Sequence, residues 1–152
     1  MINETLKLSG ELTIVLKDKD GKVKEERKEK NLVVDSGLDF ICSRMAGTAS
    51  SVMGYMAVGS DNTAAAAGQT DLLGYLGTRI ATDNNGTATN NTVTYTATFG
   101  AGVSSGAIVE AGIFNDPSVA TGDMLCRTVF ATVNKGAEDT MSITWTITLS
   151  AA

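Results

Sequence analysis

A chain of 152 residues and 15.7 kDa suits one domain with a core of its own. It has no histidine and only 2 cysteines, which excludes histidine-based catalysis, zinc fingers and disulfide scaffolds. A net charge of −5 with 5% aromatic residues speaks against a dedicated nucleic-acid binder.

The opening Met1-Ile2-Asn3-Glu4 lacks the basic start and apolar run of a secretory signal. No stretch approaches the ~20 apolar residues of a membrane span. The expectation is a soluble chain made in the cytoplasm, with no membrane partner. Cys42 and Cys126 are read as two buried, reduced thiols.

Charge divides the sequence. Residues 1–30 carry eight basic and seven acidic residues, whereas 31–152 carry four and ten. Leu12, Ile14 and Leu16 alternate with Thr13, Val15 and Lys17, as in a strand. Asp18-Lys19-Asp20-Gly21 is turn chemistry. The following Lys22–Lys30 holds Val23 as its one apolar residue, so the returning strand should be solvated. Residues 1–34 thus read as a charged hairpin ahead of a body at 35–152, within one domain. Its mixed charges would blunt a sheet edge. As an arm it would carry Lys17, Lys19, Lys22, Lys24, Arg27 and Lys28 toward a neighbouring subunit.

One short helix is expected near residues 36–46. Asp35 or Ser36 can cap it, Leu38, Ile41 and Met45 share a face widened by Phe40 and Cys42, and Gly47 can end it. Strands are expected at Met53–Val58 and Gly74–Thr82, around a polar loop at 60–70. Asn84-Asn85-Gly86 marks a turn over Asp83–Asn91. Alternation then becomes strict. Val93, Tyr95, Ala97 and Phe99 oppose Thr92, Thr94, Thr96 and Thr98. Met141, Ile143, Trp145, Ile147 and Leu149 oppose Thr140, Ser142, Thr144, Thr146 and Thr148. Ala107–Phe114 and Leu125–Val133 are further strands. With about eight strands and no βαβ rhythm, the fold class is all-β, an antiparallel β-sandwich or jelly-roll-like barrel with one short helix.

Chemistry is sparse. Without histidine a nucleophilic serine needs a lysine base, and Lys135, the one lysine beyond residue 30, has no such signature around it. Glu110 is the acid inside an apolar strand. A buried carboxylate needs a partner, and Arg127 and Arg79, both in expected strands, are the candidates for a structural ion pair. Asp61-Asn62 and Asp83-Asn84-Asn85-Gly86 offer oxygen ligands, but without a calcium-loop pattern they read as turns. Gly100–Gly106 is followed by a strand rather than a helix, so it is a hairpin loop and not a phosphate cradle. No catalytic, cofactor-binding or metal-binding residue is assigned, and no cofactor is expected.

The order of motifs resembles a family. It runs Asn31-Leu32-Val33-Val34-Asp35-Ser36-Gly37-Leu38, the helix, then Tyr55-Met56-Ala57-Val58-Gly59-Ser60-Asp61-Asn62-Thr63-Ala64 and Leu73–Arg79. Val93–Phe99, Ile108-Val109-Glu110-Ala111-Gly112-Ile113-Phe114-Asn115, Met124-Leu125-Cys126-Arg127 and Thr140–Leu149 complete it. Over roughly residues 31–149 this resembles a group of small tailed-bacteriophage virion structural proteins, labelled head-decoration or tail-fibre-like. The resemblance implies a non-enzymatic β-rich assembly subunit, with Arg79 and Glu110 at recurrent positions. The leading expectation is a capsid decoration, or cement, protein bound to the major capsid protein outside the head, as a homo-oligomer, with a trimer favoured. The alternative is a tail, neck or fibre component, an adaptor or receptor-binding subunit among tail and neck proteins. Either would place the chain in the virion, without nucleic acid as partner.

Overall fold

The computed structural model describes residues 4–48 and 51–151. In chain order the elements are β1 (Leu6–Lys17), β2 (Val23–Lys30), β3 (Leu32–Val33), α1 (Asp35–Met45), β4 (Tyr55–Gly59) and β5 (Ile80–Ala81). They continue with β6 (Thr87–Thr89), β7 (Thr92–Phe99), β8 (Gly106–Phe114), β9 (Met124–Lys135) and β10 (Thr140–Ala151). They form two five-stranded antiparallel sheets, ordered β2-β1-β10-β7-β6 and β3-β9-β8-β4-β5. This is the all-β sandwich that the alternating patterns imply.

The longest pairing joins the two ends of the chain. β1 runs against β10 in unbroken register from Leu6↔Ala151 to Lys17↔Thr140. The registered pairs Leu12↔Trp145, Ile14↔Ile143 and Leu16↔Met141 are all buried in the main core. The first strand is therefore built into the sheet and is not a free arm. Apolar alternation buries Leu12, Ile14 and Leu16 of β1, and the polar β2 remains at the rim. Arg27 on β2 reaches across to the other sheet and donates to the Ala131 and Thr132 carbonyls on the uncovered edge of β9.

The helix lies where expected but is rotated and capped differently. Val34 occupies the N-cap without a side-chain hydrogen bond. Ser36 instead donates from Oγ to the Met124 carbonyl at 2.7 Å. Asp35 sits in the first turn, where a carboxylate suits the helix dipole. At the other end Gly47 takes φ 68, with Gly47 N–H on the Arg44 carbonyl and Thr48 N–H on that of Ser43. That is a Schellman termination. The buried residues are Gly37 and Phe40, while Leu38 is 45% and Met45 85% exposed. A Cβ on Gly37 would lie 2.1 Å from the Leu125 carbonyl oxygen. This close approach to β9 fixes the rotation and turns the Leu38/Met45 stripe outward. Cys42 goes with it and is exposed, whereas Cys126 is buried.

Two further expectations change. The Gly74–Thr82 strand shrinks to β5 and a single Gly59↔Tyr75 bridge, with Gly77 at φ 77 between them. Inside the expected Asp83–Asn91 turn, Thr87–Thr89 pairs with β7 across Asn90, which adopts φ 54.

Alanine normally improves a helix by about 1 kcal/mol over glycine. Gly37→Ala should do the opposite, lowering stability by about 1–3 kcal/mol in urea unfolding because β9 leaves no room.

Candidate interaction surfaces and the buried ion-pair network

The two faces of the second sheet bury different sets of side chains. Met56, Val58, Ile113 and Cys126 belong to the main core between the sheets. Ala57, Phe114 and Met124 join Val34 and Leu72 in a second cluster on the outer face. The segment after β4 covers this face, and Glu110 and Arg127 hold it there.

Arg127 is registered opposite Gly112, so Glu110 is its diagonal neighbour two residues along on the same face. Arg127 Nη2 lies 2.8 Å from Glu110 Oε2, and both side chains are fully buried. Each group also binds the covering segment. Glu110 accepts from the backbone N–H groups of Gly74 at 2.7 Å, Leu73 at 3.2 Å and Asp61 at 3.4 Å. Arg127 donates to the carbonyls of Thr63 at 2.8 Å and Asp61 at 3.4 Å, and to Gln69 Oε1 at 3.0 Å. Gly59, opposite Glu110, makes the space: a Cβ there would lie 2.3 Å from Oε1.

Arg79 does not meet Glu110. Its Nη2 lies 3.1 Å from Asp71 Oδ1, and Nε donates to the Tyr75 hydroxyl at 2.8 Å. Nη1 donates to the carbonyls of Asp116 and Thr121, and the guanidinium stacks 3.8 Å from the Phe114 ring centroid. Asp71 Oδ2 also accepts from the Ala120 N–H. Arg79 thereby ties the 71–79 segment to the 116–121 loop. Burial and the hydrogen bond to Asp71 push the Tyr75 phenol well above its ordinary range. Sequence reading singled out Arg79 but missed Asp71 and Tyr75, whose spacing of four matches no helix or strand there.

The basic residues of the hairpin divide. Lys24 lies 2.8 Å from Asp139, and Arg27 contacts Glu25 as well as β9. Lys17, Lys19, Lys22 and Lys28 are exposed. Lys135 is buried and donates to the Gly100 carbonyl at 2.8 Å, and burial pushes its amine below the ordinary lysine range. Among the described residues no group of three or more His, Cys, Asp or Glu could hold a metal ion.

The outer face of the first sheet is different in kind. Cross-strand registers align Ser9, Thr148, Thr92 and Thr89 in one row and Thr13, Thr144 and Thr96 in another. A third row reads Glu11, Thr146, Thr94 and Thr87, and a fourth Val15, Ser142 and Thr98. Charges enter this face at its β1/β2 rim, where Lys28 and Lys30 flank Thr13 and Glu11. The result is a broad surface of hydroxyl-bearing side chains bordered by the charges of the β1/β2 rim. It can dock against another surface.

Glu110→Gln would strand the buried Arg127 cation, and a loss of about 3–5 kcal/mol is expected in chemical unfolding. Glu110→Gln with Arg127→Met should cost less than the two single changes summed. Acid should also weaken the fold. The Thr63 and Thr121 hydroxyls hold Asp61 and Asp116 below the ordinary 3.8, and Lys24 does the same for Asp139. Lowered carboxylates stabilise above 3.8, and that contribution disappears as pH falls from there through their folded values. A melting-temperature series should therefore be flat near neutrality and drop below about pH 4.

Comparison with protein families, curated proteins and solved structures returns no match.

Proposed function

We propose that this chain is a non-enzymatic structural subunit of a tailed-phage virion, a decoration protein that binds the outside of the head and stabilises it. The observation that carries this reading is how the buried charges are used. Glu110, Arg127 and Arg79 are all engaged by the chain's own backbone and side chains. The threonine face, by contrast, offers a wide surface for docking. The motif order from Asn31 to Leu149 supports the virion assignment. The partner is the major capsid protein, and the work is mechanical: buried area clamps adjacent shell subunits together.

Immunogold microscopy of phage particles carrying this chain tests the reading. Dense label over the heads is the expected result. Label confined to neck or tail would replace it with the tail, neck or fibre reading, and unlabelled particles would remove the virion assignment.

A further inference from the structure

The turn signal Asn84-Asn85-Gly86 has a second chemical meaning. Asparagine is a labile residue, because the backbone nitrogen of the next residue can attack its side-chain amide. Glycine in that next position leaves the nitrogen least hindered, since it has no Cβ. Asn85 is the only asparagine in the sequence that glycine follows. It is exposed, in a bend just ahead of β6. Among the described residues no hydrogen bond holds its side-chain amide, and the Gly86 N–H has no acceptor. The fold also fixes the glycine. Gly86 takes φ 84, and a Cβ there would lie 2.7 Å from Tyr95 Cε1.

We infer that Asn85-Gly86 is a self-modifying site, which converts without an enzyme to aspartate and isoaspartate. The Gly86 nitrogen gives up its proton and bonds to Asn85 Cγ. The Cγ–Nδ2 bond breaks, and the side-chain nitrogen leaves with that proton as ammonia. Water then opens the resulting succinimide. Opening at Cγ gives aspartate, and opening at the backbone carbonyl gives isoaspartate. The structure separates this pair from its nearest equivalents. Asn84 donates from Nδ2 to Thr87 Oγ1 at 2.9 Å, and Asn91 donates to the Leu149 carbonyl at 2.8 Å. Asp20-Gly21 is the corresponding acidic pair, but the Gly21 N–H donates to the Asp18 carbonyl at 3.0 Å. Conversion sets a new negative charge beside Thr87, at the β6 edge of the threonine face. The inference rests on the chain's own chemistry, so it stands apart from where the chain sits in a virion.

Incubation of the folded, full-length chain in mildly alkaline buffer, followed by peptide mapping with mass spectrometry, tests this. The expected result is a mass shift at Asn85 equal to the exchange of an amide for a carboxyl group. It should appear in two chromatographically separate isomers, preceded by a form that has lost ammonia. Both isomers should accumulate faster as pH rises, because the attacking nitrogen must lose its proton. Ion exchange should resolve a species one charge more negative than the starting chain of net charge −5. Asn85→Gln changes an exposed position and should abolish both products, because the longer side chain must close a larger ring. An Asn85 that stays intact, another asparagine that converts first, or products that persist in Asn85→Gln would each overturn the inference.

Discussion

Two opposite charges with no access to solvent organise one side of this protein. Glu110 and Arg127 satisfy each other at 2.8 Å and then spend their remaining hydrogen-bonding capacity on backbone. The segment they bind has almost no strand pairing of its own, only the Gly59↔Tyr75 bridge and the two residues of β5. Loops laid over a sheet face leave N–H and C=O groups without ladder partners. Here a carboxylate collects the N–H groups and a guanidinium collects the carbonyls. Without the pair, Leu72 and Phe114 would lose their cover and the outer cluster would face water.

The same logic explains how buried charge is used here. An isolated buried ion is expensive, so its presence demands an explanation, and reactive sites are one. In this chain Glu110 receives donors from three backbone amides and an arginine, so both of its oxygens are engaged. Arg79 repeats the device at the neighbouring loops, with Phe114 beneath its guanidinium. Arg27 does a similar job at the rim, joining the hairpin to the far sheet through the Thr132 carbonyl.

Much of this was legible in the sequence, for physical reasons. Strict period-2 alternation over residues 92–99 and 141–149 admits one reading, and both strands form there with Tyr95, Phe99, Ile143 and Trp145 inside. An acid within the apolar run Ile108–Phe114 announces a partner, and Arg127 lies on the adjacent strand. Helix rotation was not legible. The spacing of Leu38, Ile41 and Met45 is a valid amphipathic face, but the contact between Gly37 and the Leu125 carbonyl overrides it, and that contact exists only in the folded chain. Nor was the Asp71–Tyr75–Arg79 cluster, because its geometry comes from loops that meet across 116–121. Nor is the place of the hairpin legible, because its charges lie in β2, whereas the strand that claims β1 is β10, more than a hundred residues away.

The central claim is that a buried ion pair replaces strand pairing for the segment over the second sheet. Amide hydrogen exchange on the unmodified protein measures this directly. The account predicts that the Leu73 and Gly74 amides, though outside any strand, exchange as slowly as those of β8, and that Asp61 follows them. Exchange of all three at the rate of a free loop would contradict it.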